Sequence, residues 1–262
     1  MDMQPDGEAQ DPSLRQQEIR FPNGNKAWAV LSPIGTHVKD LMRCLSIPQP
    51  RAIIMIAGGA AQMEKQIMSA LSASVSYGVV HVASSLGALI IDGGTQSGVM
   101  ELTGLGVAQQ EHRPLLLGVT PAGLVSYPGQ SISKTCHQGT PLDPNHSHFV
   151  LVETDEWGGE TDTMYELARA FSRNHPSLAV LVNGGDITRK EVLYCVRQKR
   201  PIIVLEGSGR VADEVAHALH DQSSLLADSE LVEIIADGDL YPFPVTGSTV
   251  ALKQLMHRLL DL

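Results

Sequence analysis

Seven short stretches of unbroken apolar residues recur along the chain: Ala27–Leu31, Ala52–Ile56, Ala88–Ile91, Leu115–Val119, Phe149–Val152, Leu178–Val182 and Ile202–Leu205. They lack the alternation of a sheet with one wet face, so each predicts a strand covered on both faces, as in a parallel sheet between two helical layers. Leu231–Ile235 predicts a weaker eighth strand. The intervening segments carry helical periodicity. Met63, Ile67, Leu71 and Val75 keep i, i+4 spacing, and Val192 with Cys195 and Val196 marks one face of another helix. Thr188 with Glu191 three residues later predicts a capping box that opens the latter. Strand and helix alternate throughout, and right-handed crossovers turn that order into an α/β, doubly wound, mostly parallel sheet. Residues 21–262 show no internal repeat or low-complexity linker and read as one domain.

Charge and cysteine usage narrow the function. With 19 Lys and Arg against 29 Asp and Glu, the net charge is −10, which excludes a phosphate-backbone binder that needs a basic face. Cys44, Cys136 and Cys195 stand far apart without a CxxC pair, so neither a disulfide framework nor a cysteine zinc site is expected, and a reducing cytoplasm is. Residues 1–20 hold Asp2, Asp6, Glu8, Asp11 and Glu18 without an apolar run, and read as a disordered acidic tail rather than a signal peptide. Gln66–Ile91 has no charged residue, but its serines and His81 predict a buried helix pair, with no membrane partner. Thr120–His148, with Pro121, Pro128, Pro141 and Pro144, is too long for an ordinary connection and predicts a functional or disordered loop.

Several strands end in glycine: Gly58 and Gly59 after Ile56, Gly93 and Gly94 after Ile91, Gly184 and Gly185 after Val182, and Gly207-Ser208-Gly209 after Leu205. Glycines at strand carboxyl ends line the crevice where doubly wound sheets bind ligands, since bare backbone approaches a ligand closely and helix-opening N–H groups attract phosphate. No Lys or Arg occurs between Lys65 and Arg113, so phosphate near Gly93–Gly98 has to be held by backbone or by residues from elsewhere. Gly207-Ser208-Gly209-Arg210-Val-Ala212 is a GxGxxA variant on a late strand, which speaks against hydride transfer. Arg210, a guanidinium at a helix start, suggests an anionic partner. Glu160, after Gly158 and Gly159 at the start of a helix, is a candidate cap and, if the protein is an enzyme, its catalytic carboxylate. His146 and His148 alternate on an extended segment, but no third ligand is spaced to complete a metal site, and none is expected. GxSxG, GxxxxGK[ST] and HExxH are all absent.

The string Pro144-Asn-His-Ser-His-Phe149-Val-Leu-Val, with Trp157-Gly-Gly-Glu160, Leu181-Val-Asn-Gly-Gly185 and Glu206-Gly-Ser-Gly-Arg210-Val-Ala-Asp213, resembles the SLOG superfamily. The likeness is to the branch shared by prokaryotic proteins and the cytosolic N-terminal region of melastatin-type TRP channels, and it spans roughly residues 52–216. It implies a Rossmann-like domain that binds a nucleotide-derived ligand similar to ADP-ribose, with no cofactor required, and a homo-oligomer. The ligand-binding residues it points to are Gly58, Gly59, Gly93, Gly94, Thr95, Gln96, Ser97, Gly98, Gly158, Gly159, Glu160, Gly184, Gly185, Gly207, Ser208, Gly209 and Arg210. The distantly related LOG enzymes hydrolyse nucleoside monophosphates through GGGxxGLMG and PGGxGTxxE motifs. Here the first appears as Gly93-Gly94-Thr95-Gln96-Ser97-Gly98-Val99-Met100-Glu101, while the second, Trp157-Gly158-Gly159-Glu160-Thr161, lacks the proline and the third glycine. Binding therefore leads, and hydrolysis of an N-glycosidic bond is the alternative. The channels' arginines after these two motifs are Glu101 and Met164 here, leaving Arg210 as the retained cation of the matched strings.

Overall fold

The computed structural model describes residues 14–59, 65–130, 139–221 and 228–260. One nine-stranded sheet runs in the order β1 (Arg15–Arg20), β2 (Lys26–Ser32), β8 (His148–Val152), β5 (Leu115–Pro121), β4 (Leu89–Asp92), β3 (Ile53–Gly58), β9 (Ser177–Val182), β10 (Ile202–Glu206) and β11 (Leu240–Pro244). Only β1 is antiparallel to its neighbour; every other pairing is parallel. From β3 the chain moves outward through β4 and β5 and later restarts on the other side of β3 with β9 and β10, a doubly wound Rossmann-like order whose switch point lies between β3 and β9.

All seven apolar runs are strands, and the central strands β8, β5, β4, β3, β9 and β10 are buried on both faces. Along β3, Ile53 and Met55 enter the core beneath α1 (Val38–Leu45), α5 (Thr161–Phe171), α6 (Asp186–Arg197), α7 (Arg210–His220) and α8 (Ser229–Asp237). Ile54 and Ile56 enter the opposite core, beneath a helical run of α2 (Lys65–Ser72), a π-helix (Ala73–Val80) and α3 (His81–Leu86), with α4 (Gly98–Ala108) and α9 (Thr249–Leu259). Each such buried side chain stabilises by about 1.5–3 kcal/mol, which explains why the strands need no alternation. The apolar stretch Ile67–Leu86 is long enough to cross a membrane, yet Leu71, Val75, Val79, Val80 and Val82 are fully buried against the sheet and α9. It forms one continuous helix rather than the expected pair; Met63 lies outside the described residues.

Three expectations are corrected, and one strand is added. Arg15–Arg20 is an edge strand, not part of a disordered tail, because Ile19 and Phe21 seal a third apolar cluster under Phe149; residues 1–13 lie outside the described residues. Leu231–Ile235 is helical, since the Asp228 carboxylate caps the N–H groups of Glu230 and Leu231, and Leu231 and Ile234 then share a buried face. The strand missed in its place is β11, whose Pro242 and Pro244 are tolerated because it pairs only with β10 at the sheet edge. α6 starts at Asp186 with Gly185 as its cap, so Thr188 sits inside the first turn rather than before it.

The long segment after β5 folds back on itself. Its described parts form a two-stranded pair, β6 (Val125–Ser126) with β7 (Thr140–Pro141), and Thr95 bridges to Leu142. The loop after β4 crosses β5 at Gly118, where an added Cβ would stand 2.6 Å from the Gly94 Cα and 2.8 Å from the Phe149 ring. Gly118→Ala is expected to destabilise the protein by about 1–3 kcal/mol, the usual cost of overpacking. Denaturant unfolding checks this, and an unchanged midpoint would refute the close crossing.

Candidate functional site

A cavity of about 430 Å³ opens at the carboxyl ends of β3, β4 and β9, at the switch point of the sheet. Gly58 and Gly59 form its floor, and the loop after β4 contributes Gly93, Thr95 and Ser97. The starts of α5, α6 and α7 bring Glu160, Gly185 and Arg210 to the same space. Helices opening toward one cavity place their N-terminal partial positive charges around it.

Arg210 owes its direction to an unusual backbone. Its φ of 49° puts a non-glycine residue in the left-handed region, which costs free energy and turns the guanidinium back over α6. The guanidinium covers Gly185 so closely that an added Cβ there would lie 2.8 Å from Nη2. It has no ion-pair partner among the described residues. The rest of the GSGR string holds the turn. The Gly207 N–H donates to the Asp213 carboxylate at 2.6 Å, the Ser208 Oγ accepts the Asn183 N–H at 2.8 Å, and the Ser208 N–H reaches the Leu205 carbonyl. The N–H groups of Gly207 and Ser208 are thus engaged, and Gly207, Ser208 and Gly209 do not line the cavity.

Other predicted residues divide in the same way. Gly94, Gly98, Gly158, Gly159 and Gly184 shape the turns without lining the cavity, and Gln96 faces the opposite side of its loop, a separate groove beside Tyr127 and Pro141. Residues not anticipated complete the lining: Met100, Thr140, Trp157, Met164, Asp186, Thr188 and Glu191 among them. Trp157, 46% exposed, forms part of the rim. Glu191, which the sequence suggests only as part of a cap, shares the cavity wall with Ile56 of β3 and Met164 of α5, both remote in sequence.

The deep end of the cavity is acidic. The Glu160 carboxylate accepts the Gly158 N–H at 2.8 Å, and burial raises its pKa, partly offset by backbone N–H groups. Glu191 is pushed up to about 8 by burial and by the charges of Glu160 and Asp92, against a lowering bond from Thr188. At neutral pH Glu191 is therefore mostly protonated, beside a carboxylate that accepts.

Behind the loop after β4 lies the group that the PNHSH string builds. His146, fully buried, donates from Nε2 to Asp92 Oδ1 at 2.8 Å and from Nδ1 to Asp143 Oδ1 at 3.0 Å, and stacks on Phe149 at 5.2 Å. Burial lowers its pKa, but the Asp92 charge and both carboxylate bonds outweigh it, raising the imidazole to about 9. Burial alone lowers His148 to about 4, so the two histidines are opposite in charge state at neutral pH. They do not act as a pair, because both ring nitrogens of His146 are taken by carboxylates. Among the described residues no cluster of three or more His, Cys, Asp or Glu is arranged to hold a metal ion.

Residues 51–240 match a family model described as SLOG in TRPM, prokaryote. The chain is 27% identical over 221 residues to a transient receptor potential cation channel subfamily M member-like 2 of Nematostella vectensis, covering 71% of this chain and 14% of that protein. It is 28% identical over 200 residues to the subfamily M member 2 channel of Mus musculus, covering 64% and 13%. The likeness to the human subfamily M member 7 channel extends to 86% of this chain at 24% identity, but to 13% of the channel. The chain thus spans about a seventh of the length of the relatives it matches.

Because the folded state retains on Glu191 a proton that the unfolded chain loses, stability falls as pH rises from about 4.5 to about 8. Glu191→Gln, which cannot ionise, is expected to match the wild type near pH 5 and to exceed it increasingly toward pH 8, by up to about 1.4 kcal/mol per pH unit. Thermal unfolding at the two pH values checks this, and parallel curves would refute the buried acid.

Proposed function

The chain belongs to the prokaryotic branch of the SLOG-in-TRPM family, and from that premise we propose that its switch-point cavity binds a nucleotide-derived ligand carrying ribose and phosphate, as a sensing domain. The observation that carries the reading is Arg210, an unpaired guanidinium folded across Gly185 into a cavity surrounded by helix N-termini. Phosphate lies there, against the guanidinium and the opening N–H groups of α6, while the ribose hydroxyls point to the acidic end, donating to Glu160 and accepting from protonated Glu191. Trp157 offers a face on which a base stacks. Such a ligand has its charge at one end only: a second phosphate at the inner end would meet the Glu160 carboxylate with no cation of the cavity lining beside it. We infer a cytoplasmic protein and a homo-oligomer, the latter supported by exposed Tyr77, Leu105 and Val250 on the adjoining π-helix, α4 and α9. Light scattering tests the oligomer, and a monomer at all concentrations would remove it.

Arg210→Ala is expected to weaken binding of ADP-ribose or a nucleoside monophosphate by about 1.5–3 kcal/mol, the range for a hydrogen bond to a charged group, with thermal unfolding preserved. Lys190→Ala, an exposed cation one turn along α6 and outside the cavity, is expected to leave affinity unchanged. Calorimetry on the three proteins decides. Equal affinities would move the phosphate to the Gly93–Gly98 loop, and no binding by any member of the panel at millimolar concentration would overturn the reading.

The Glu160–Glu191 pair favours one second reading, hydrolysis of an N-glycosidic bond in such a ligand, without a required cofactor. Two carboxyl groups whose pKa values are raised can divide the work between an acid and a group that stabilises an oxocarbenium-like transition state. Release of free base that is abolished in Glu160→Gln is the expected chromatographic result; if wild type and variant are equally inert, the pair serves recognition alone.

A further inference from the structure

The PNHSH string is not used by the cavity directly, since neither His146 nor Asp143 lines it. Its hydrogen bonds nevertheless end on the backbone of the loop that does. Asp92 Oδ1, which accepts from His146, also accepts the Gly94 N–H at 2.8 Å. The Asp143 N–H donates to the Gly94 carbonyl at 3.0 Å, and Asp143 Oδ1 accepts both from His146 and from the Asn145 N–H. The Gln96 N–H reaches the Pro141 carbonyl at 2.7 Å. The Asp143 carboxylate fits only because Gly104 of α4 has no side chain: an added Cβ would stand 2.1 Å from Oδ1.

The charge balance explains why a histidine occupies this place. Two carboxylates buried side by side repel each other and lose hydration, and one imidazolium with two N–H groups on opposite edges gives each of them a charged donor at Oδ1. Asp92 and Asp143 are the titratable groups that face the ring, and the Phe149 ring covers its flat side. A neutral imidazole has one N–H and leaves one carboxylate without its donor. The folded-state pKa of about 9 lies above the ordinary 6.5, so the contribution is complete below about pH 6.5 and is lost as pH rises through 9.

We propose that His146 is the positioning residue of the cavity: as an imidazolium bridging Asp92 and Asp143, it fixes the path of the Gly93–Ser97 loop and so the backbone that the ligand meets. The inference rests on the cavity being the ligand site, as argued above, but the loop itself reports on it independently.

Amide hydrogen exchange of the full chain provides the test. In the wild type, protection of the amides over residues 94–97, corrected for intrinsic exchange, is expected to fall in a step that begins near pH 6.5 and is complete at about pH 9, while that of β9 and β10 persists. His146→Gln, which donates to one carboxylate only, is expected to lower that protection about tenfold at pH 7 and to remove the step, the factor for losing one hydrogen bond to a charged group. Its affinity for ADP-ribose as probe is expected to fall by a similar factor. Loop protection without a step through pH 9 in the wild type overturns the proposal, whether or not the variant folds. So does a variant whose loop is as protected as the wild type's. If the loop responds as expected and ADP-ribose binds neither protein, the clamp stands and the ligand assignment fails; if ADP-ribose binds the wild type and the variant equally, the positioning role fails.

Discussion

A parallel sheet covered on both faces has to send every strand-to-helix connection out of the same edge, and the structure of this protein follows from that constraint. β3, β4, β9 and β10 all end there, and the winding reverses between β3 and β9, which splits the connections and leaves a space that no side chain of the sheet fills. The helices that start at this edge point their N-terminal ends across it. Partial positive charge at that edge is therefore a consequence of topology, before any charged side chain is added.

The side chains then divide that space by charge. Arg210 places a cation near the start of α6 at the expense of a left-handed backbone, while Glu160 and Glu191 leave the opposite end acidic and, at Glu191, protonated. Behind this wall a second acidic pair, Asp92 and Asp143, is reconciled by the imidazolium of His146. Breaking a buried ion pair is costly because the remaining charge has neither water nor partner. The loop that lines the cavity is tied to that group through Gly94, whose N–H donates to Asp92 and whose carbonyl accepts from Asp143.

Recognisable strings played different parts from those their appearance suggests. Gly207-Ser208-Gly209 looks like a phosphate loop, but the N–H groups of Gly207 and Ser208 are engaged by Asp213 and Leu205, the Ser208 hydroxyl accepts from Asn183, and none of the three lines the cavity. PNHSH looks like the beginning of a metal site and is instead a clamp. Leu231–Ile235 reads as a strand when only its apolarity is weighed, whereas the Asp228 cap and the spacing of Leu231 and Ile234 make it a helix. In each case the deciding partner is a backbone group or carboxylate whose availability is set by the fold around it.

What the sequence determined by itself is whatever depends on short spacing: seven unbroken apolar strands, the helices between them, and the glycines at strand ends that mark the edge where the cavity opens. What only the tertiary structure decided is which of those residues meet. Glu191 faces Glu160 from another helix, Arg210 covers Gly185, and Asp92 is joined to Asp143 through His146, 54 positions along the chain from Asp92. Electrostatic and steric interactions of this kind depend on distance in space and on the exclusion of water, and neither is encoded in the local pattern of residues.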